Sequence, residues 1–303
     1  MYMSIRSYFE NQRKLRSTSV RAYMICLKKL NHNVEPITLD YLKNYEDVFH
    51  YIKRYKPATQ RSYMIAVNQA LKSVNEWDEL KDIYEAKLEV LEYEHQERNA
   101  SYDKTEEEAK NWTTLEELKL IADYWVDMID EIQYNSRHYV KIHDVYKCAI
   151  VALLYTEHAA IRLDYATMEI IKSESEIQPN KNYLLVEDGE KHFILQHYKT
   201  SSKHHEKVWS PTPRLSEIID KWLEINNSGY FLPNRNMENP MTTNALGKMI
   251  TRVFESIDKK ITVNTIRHIW ISQNVDHTII DKHAQLADAM CHTVGTQKTY
   301  IRD

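Results

Sequence analysis

Residues 182–200, NYLLVEDGEKHFILQHYKT, carry the strand signal that decides the class of fold. Apolar and polar residues alternate around Asp188 and Gly189, and an Asp-Gly pair between two such runs predicts a tight β-hairpin. The rest of the chain differs, because its 303 residues include only 4 glycines and 7 prolines and place apolar residues at helical spacing. The sequence therefore predicts a mainly α protein with a small antiparallel β-sheet.

The length and the charge pattern predict two domains joined by a polar linker. A domain commonly takes ~100–200 residues, so a chain of 303 is expected to form two. Residues 1–98 predict a compact helical bundle, and residues 99–111 form a polar stretch without apolar periodicity, which is typical of a linker. A second domain is predicted over residues 112–303, where Thr114 and Glu117 form a capping-box pattern before an apolar run.

Hydroxyl side chains that precede apolar stripes mark the predicted helix starts. In the first domain, Thr18 or Ser19 is expected to cap one helix and Thr59 another. In the second domain, helical patterns occupy the segments HDVYKCAIVALLYTEH, PRLSEIIDKWLEI, TTNALGKMITRVFESI, TIRHIWISQNV and IIDKHAQLADAM.

The charge distribution is uneven although the net charge of the whole chain is −4. Residues 1–75 carry 13 Lys and Arg against 5 Asp and Glu, a net charge of +8, whereas residues 76–111 carry 5 against 13, a net charge of −8. A basic helical module is the electrostatic pattern expected of a part that tracks phosphates, and a solvated basic surface is the alternative.

Several functional classes are excluded by the sequence. No apolar run approaches the ~20 residues of a membrane helix, and the first residues lack the apolar core of a signal peptide, so we expect an intracellular protein, in cytoplasm or nucleus. Cys26, Cys148 and Cys291 lie far apart within apolar patterns, which predicts reduced core residues and neither disulfides nor a zinc site.

Five side chains of the second domain have a chemistry that local structure does not require: Arg162, Lys199, Arg267, His292 and Tyr300. Each taken alone has an ordinary interpretation, such as a salt-bridge arginine or an exposed hairpin lysine. A phenol loses its proton only near pH ~10, so Tyr300 would need activation to act as a nucleophile.

In this order, the five residues resemble the motif set of the tyrosine recombinase (phage integrase) superfamily. Arg162 and Arg267 match its two motif arginines, Lys199 its β-hairpin lysine, His292 the histidine of its third motif and Tyr300 its nucleophile. The resemblance covers nearly the whole chain and implies a helical core-binding domain followed by an α+β catalytic domain. The segments RLDYATMEI, YKTSSK, TTNAL, IRHIWI and MCHTVGTQKTY are most similar to recombinases of large eukaryotic DNA viruses and related mobile elements.

The resemblance implies a site-specific recombinase that cuts and rejoins DNA. The two arginines would clamp the phosphate, and Lys199 would protonate the leaving 5′ oxygen. Tyr300 would form a 3′-phosphotyrosine and His292 would contact the phosphate or orient the nucleophile. Asp164 is a candidate to brace Arg162. No metal and no cofactor are implied.

Two departures from the family pattern leave alternatives open. Members commonly carry histidine three positions before the second arginine, where this chain has Asn264. An amide cannot accept the tyrosine proton, but Asn264 remains a candidate site residue because it can donate a hydrogen bond to phosphate. His292 and Tyr300 are also eight positions apart, where many bacterial members have nine. The alternatives are DNA relaxation of the type IB topoisomerase kind and a catalytically inactive, architectural DNA-binding relative.

The partner that the resemblance implies is double-stranded DNA, on which the protein is expected to assemble as a homo-tetramer from monomers in solution. The protomer contacts are expected from the basic domain and from residues 279–290, IIDKHAQLADAM. The apolar stripe of that segment, Ile280, Ala284, Leu286 and Met290, alternatively packs into the core of its own domain. The candidate DNA contacts of the basic domain are Arg16, Arg21, Lys56 and Arg61.

Overall fold

The structure of the protein, a computed structural model, describes residues 4–100, 103–134 and 139–290. The chain divides into two compact units, Met1–Asp103 and Lys104–Asp303. None of the helices in the described ranges has both the length and the apolar character that crossing a bilayer requires.

The first unit is built from helices. In chain order they are α1 (Ile5–Ser7), α2 (Ser17–Leu30), α3 (Tyr45–Ile52), α4 (Pro57–Leu71) and α5 (Asp78–Ala100), with a π-helical turn at Tyr8–Gln12 and a 3₁₀ turn at Asp40–Lys43. The core includes the fully buried side chains Phe9, Leu27, Leu42, Ile52, Met64 and Tyr84. The phenol of Tyr84 donates a hydrogen bond to the Leu42 carbonyl at 3.0 Å, so its burial leaves no donor unsatisfied.

The predicted caps of the first unit were wrong. Helix α4 begins at Pro57, two residues before Thr59, because the fixed φ of proline suits the first helical position and the residue before it is held extended. Helix α2 begins at Ser17, with Arg16 extended at the N-cap position, so Thr18 and Ser19 lie inside its first turn.

The second unit surrounds the buried helix α8. Its helices are α6 (Glu106–Asn111), α7 (Leu115–Tyr134), α8 (Tyr139–Thr156), α9 (Ser201–His204), α10 (Pro213–Ile225), α11 (Thr243–Val253), α12 (Val263–Asn274) and α13 (His277–Ala289), and its strands are β1 (Glu169–Ile171), β2 (Asn182–Glu187), β3 (Glu190–Leu195) and β4 (Lys207–Trp209). Helices α7, α10 and α11 pack against α8, of which residues 148–155 are all buried. A helix that is apolar on every side can be stable only in such a central position.

Helix α6 lies within the stretch that was predicted to be a linker. The Thr105 hydroxyl accepts from the backbone N–H of Glu108 at 3.2 Å, and the Glu108 carboxylate accepts from the backbone N–H of Thr105 at 2.9 Å. This reciprocal capping box stabilises a six-residue helix that has no apolar stripe. At the start of α7, the predicted contact from the Glu117 N–H to the Thr114 hydroxyl is present at 3.1 Å, while the Glu117 carboxylate accepts from Thr113.

The sheet confirms the predicted hairpin and adds one parallel strand. Strands β2 and β3 pair antiparallel around a two-residue turn, in which Asp188 and Gly189 have φ of 50° and 82°. Strand β4 pairs antiparallel with β3, and the predicted small antiparallel sheet is thus present in these three strands. Strand β1 pairs parallel with β2. Residues 172–181 return the chain to the end of the sheet at which β1 starts, so β2 runs in the same direction as β1. The mainly α fold class is confirmed.

The sheet is apolar on both faces. Leu184, Phe193 and Leu195 contribute to the main core around α8. On the opposite face, Tyr183, Leu185 and other side chains form a second, smaller cluster: Ile171, Tyr183, Leu185 and Ile194. This explains why β2 reads as a nearly continuous apolar run after its first residue.

Two glycines of the second unit provide a matched stability test. Gly189→Ala forces a side chain into the left-handed region and should lower the free energy of unfolding by about 1 kcal/mol. Gly247→Ala, inside α11 and with its new Cβ 3.7 Å from Leu163, should raise it by ~0.5–1 kcal/mol because alanine is the better helix former. Urea unfolding followed by tryptophan fluorescence checks both, and equal effects of the two variants would contradict the turn geometry.

Candidate active site

Arg162 lies on the turn that follows the buried helix α8. The phenol of Tyr155, fully buried near the end of that helix, donates to the Arg162 carbonyl at 2.7 Å. The Arg162 side chain itself is exposed. The buried helix α8 therefore fixes the backbone of Arg162 and leaves its guanidinium accessible.

Arg267 lies on α12 and is tied to the same turn. Its Nη1 donates to the Ala160 carbonyl at 2.9 Å, and the indole Nε1 of Trp270 donates to the Tyr155 carbonyl at 2.9 Å. These two hydrogen bonds are one helical turn apart and hold α12 against the end of α8. The structure thus brings the two predicted arginines to one place.

The site formed by Arg162, Arg267 and Asp164 carries an excess of positive charge. Burial lowers the pKa of Arg267, the charge of Arg162 lowers it further, and Asp164 opposes the change. Burial also raises the pKa of Asp164, against the effects of Arg162, His197 and Arg267. Two guanidinium groups that repel each other beside one half-buried carboxyl form a site where an approaching anion is stabilised.

Lys199 is exposed in the connection between β3 and β4, two residues before the first residue of the short helix α9. The start of this connection is held by Asn182. Its Oδ1 accepts from the backbone N–H groups of Gln196 at 3.0 Å and His197 at 2.8 Å, and its Nδ2 donates to the carbonyls of His197 at 2.9 Å and Asp164 at 3.3 Å. The connection that carries Lys199 therefore begins beside Asp164.

Asn182 and His197 were not among the site residues predicted from the sequence. Asn182 is a polar residue at the head of an apolar strand, which is a weak signal. His197 is exposed two positions before Lys199, and its charge acts on the carboxyl of Asp164. The structure therefore adds an imidazole to the surroundings of the arginine pair.

Asn264 lies on a neighbouring surface. It is exposed in the first turn of α12 and lines a groove of about 370 Å³ together with His268 and residues of α6. Neither Arg162 nor Arg267 lines this groove. Hydrogen bonds to Thr105 lower the pKa of Glu108 on the opposite wall, with a smaller contribution from His268.

Two predicted residues of the site, His292 and Tyr300, lie outside the described residues, as does Cys291. Within the described ranges, no group of three or more His, Cys, Asp or Glu side chains is arranged to hold a metal ion.

The predicted DNA contacts of the first unit fall into two groups. Arg16, Arg21 and Lys56 are exposed, and Arg16 and Lys56 precede the first residues of α2 and α4. Arg61 is half-buried, and its guanidinium pairs with Glu92 of α5 at 3.2 Å. Arg61 therefore has an ion-pair partner within its own unit.

Residues 279–290 form most of α13, and the predicted stripe is largely exposed there. Ile280, Leu286 and Met290 have exposed fractions of 49%, 52% and 54%, whereas Ala287 is buried, at 2%. In the described part of the chain, the stripe does not pack into the core of its own unit.

No family model matches the chain, and no curated protein matches it. Among solved structures, the chain is similar to one titled "Crystal structure of XerA recombinase", at 13% sequence identity and a TM-score of 0.36. That similarity covers 99% of this chain and 93% of the other.

Asp164→Asn tests the electrostatics of the arginine pair. Because the folded-state pKa of Asp164 is raised, its ionised form lowers stability, and this loss is absent below the unfolded pKa of ~3.9. The asparagine variant should therefore be more stable than the parent protein at pH 7, with a difference that vanishes as the pH falls below ~3.9. Thermal unfolding of both proteins across this pH range measures the sign of the stability difference. A less stable variant at pH 7 would show that the carboxylate stabilises the arginines by more than its burial costs.

Proposed function

We propose that this protein is a DNA breaking and rejoining enzyme of the tyrosine recombinase type. The observation that carries the proposal is the joint anchoring of Arg162 and Arg267 on the turn after α8, with the Lys199 connection held to the same turn. The match of these residues to the motif order in the sequence supports it independently. The likeness to viral and mobile-element recombinases belongs to this proposal and rests on the sequence segments alone.

The substrate of the arginine pair is a DNA phosphodiester. In-line attack on phosphorus develops negative charge on the two nonbridging oxygens, and a guanidinium fork can donate two parallel hydrogen bonds to them. Arg162 and Arg267 repel each other in the absence of an anion. The bond from Arg267 to the Ala160 carbonyl holds its guanidinium beside Arg162 before charge increases in the transition state.

The reaction needs a nucleophile and an acid. Tyr300 passes its phenolic proton to solvent water as its oxygen attacks phosphorus, the P–O5′ bond breaks, and Lys199 gives a proton to the leaving 5′ oxygen. The 3′-phosphotyrosine conserves the energy of the bond. A 5′ hydroxyl of another strand then attacks phosphorus and returns its proton to Lys199, the P–O bond to Tyr300 breaks, and the released phenolate regains a proton from water. His292 contacts the phosphate or orients Tyr300.

The first unit supplies the electrostatic contact with duplex DNA. Its net charge of +8 over residues 1–75 and its exposed Arg16, Arg21 and Lys56 support this role. Strand exchange between two duplexes needs four active sites, so the proposal includes a tetramer on DNA. The exposed apolar side chains of α13 are its candidate protomer contacts.

The second candidate is a catalytically inactive DNA-binding relative, which Asn264 favours. An amide donates a hydrogen bond to phosphate but does not accept a phenolic proton at neutral pH. Asn264 also lines a groove that neither arginine enters. Binding of DNA without a covalent adduct would select this candidate, and relaxation of supercoiled DNA without strand exchange would select a topoisomerase-like activity.

Tyr300→Phe should abolish the covalent adduct with a nicked suicide substrate and leave DNA affinity unchanged, because only the nucleophilic oxygen is lost. Denaturing gels measure the adduct and filter binding measures the affinity. An adduct that persists in the variant, or one that maps to another tyrosine in the parent protein, would contradict the assignment.

Arg162→Ala and Arg267→Ala should each slow cleavage by at least ~10²-fold, the usual scale for one preorganised charge-stabilising group. Single-turnover cleavage rates check this, with Arg235→Ala as the matched control, since Arg235 is an exposed arginine of the second unit outside the site. A normal rate in either site variant would remove that arginine from the mechanism, and an equal loss in the control would indicate a general charge effect.

A further inference from the structure

We infer that Asn182 is a positioning residue that holds the Lys199 connection at the arginine pair. The inference rests on the proposed function. Asn182 is 3% exposed and belongs to β2, so it does not itself reach the solvent or a bound phosphate. Its effect on the reaction would be exerted through the segment that it anchors.

The side chain of Asn182 is used to its full hydrogen-bonding capacity. An amide has two N–H donors and two acceptor sites on its oxygen. All four have partners, because the oxygen accepts from Gln196 and His197 and the nitrogen donates to His197 and Asp164. A satisfied buried amide specifies one geometry, since any shift of a partner leaves a buried polar group unpaired at a cost of ~1–3 kcal/mol.

These four bonds join the two segments that carry the candidate chemistry. Both the N–H and the carbonyl of His197 are bound, so the backbone of the connection is fixed at that residue. Lys199 follows two residues later, and two residues span at most ~7 Å even when fully extended. The same nitrogen that binds His197 also binds the carbonyl of Asp164, two positions after Arg162. Asn182 thereby limits how far the ammonium group of Lys199 can move from the arginines.

The local preference of the strand argues that this residue is not present for the sheet alone. Asparagine is depleted in strands, and the four residues after it in β2 are Tyr183, Leu184, Leu185 and Val186. A buried polar residue that breaks the pattern of its own element is commonly found where function requires it.

The test uses the leaving group of the substrate to separate positioning from folding. Asn182→Ala should slow cleavage of an ordinary phosphodiester by on the order of tenfold or more, because misplacing a group by ~1 Å can cost 10²-fold. A 5′-bridging phosphorothiolate leaves as a thiolate and needs no proton, so its cleavage by the variant should remain near that of the parent protein. Lys199→Ala should give the same pattern.

The matched control is Asn226→Ala. Asn226 is also a buried amide, at 6% exposed, and it holds the loop beside β1 through Ser228 and Tyr230. Loss of the Asn226 amide should not slow the cleavage of one substrate more than that of the other. Equal slowing of both substrates by Asn182→Ala, or no slowing of either, would overturn the positioning role. Should Asn182→Ala not fold, Asn182→Ser keeps one donor and one acceptor and should show the same substrate selectivity in weaker form.

Hydrogen exchange distinguishes failure of this inference from failure of the proposed function. If the parent protein forms no adduct with either substrate, the proposed function fails. The anchor is still tested, because amides of residues 196–204 should then exchange on the order of tenfold faster in Asn182→Ala and unchanged in Asn226→Ala. Unchanged exchange in Asn182→Ala would overturn the anchor itself.

Discussion

The structure of the candidate site depends on hydrogen bonds to backbone carbonyls of the turn after α8. These bonds keep Arg162 and Arg267 close together although their positive charges repel. Arg267 is placed by its hydrogen bond to Ala160, and the backbone of Arg162 is placed by the buried phenol of Tyr155. Ile266 and Ile269 of α12 belong to the same buried core as α8, and this burial offsets the repulsion between the two cations. The bond from Trp270 to the Tyr155 carbonyl ties α12 to the end of α8. The core therefore supports a charge arrangement that is unfavourable by itself, as is common at functional sites.

The sheet also fixes where the connection that carries Lys199 begins. Strands β2 and β3 are buried on both faces, so the position where β3 ends is well defined. The connection to β4 starts at Gln196 and His197, whose backbone groups bind Asn182. Under the proposed function, a lysine on a connection with a fixed beginning has a defined location for proton transfer to a leaving group.

Part of this architecture could be predicted from the sequence, because some signals are local. The Asp188-Gly189 turn, the helical segments and the order of Arg162, Lys199 and Arg267 require no knowledge of distant contacts. Asn182 was missed because all its partners are backbone groups of segments that meet only in three dimensions. The cap at Thr59 was wrong because Pro57 begins the helix earlier, and α6 was missed because a capping box, without an apolar stripe, stabilises it.

The most direct measurement of the central claim is the structure of the protein trapped as a covalent adduct with a DNA suicide substrate. We expect one phosphate joined to Tyr300, with the guanidinium groups of Arg162 and Arg267 both within ~3 Å of its nonbridging oxygens. We also expect the ammonium group of Lys199 on the side of the 5′ oxygen. A phosphate that only one arginine contacts, or a covalent bond to a different residue, would contradict the account.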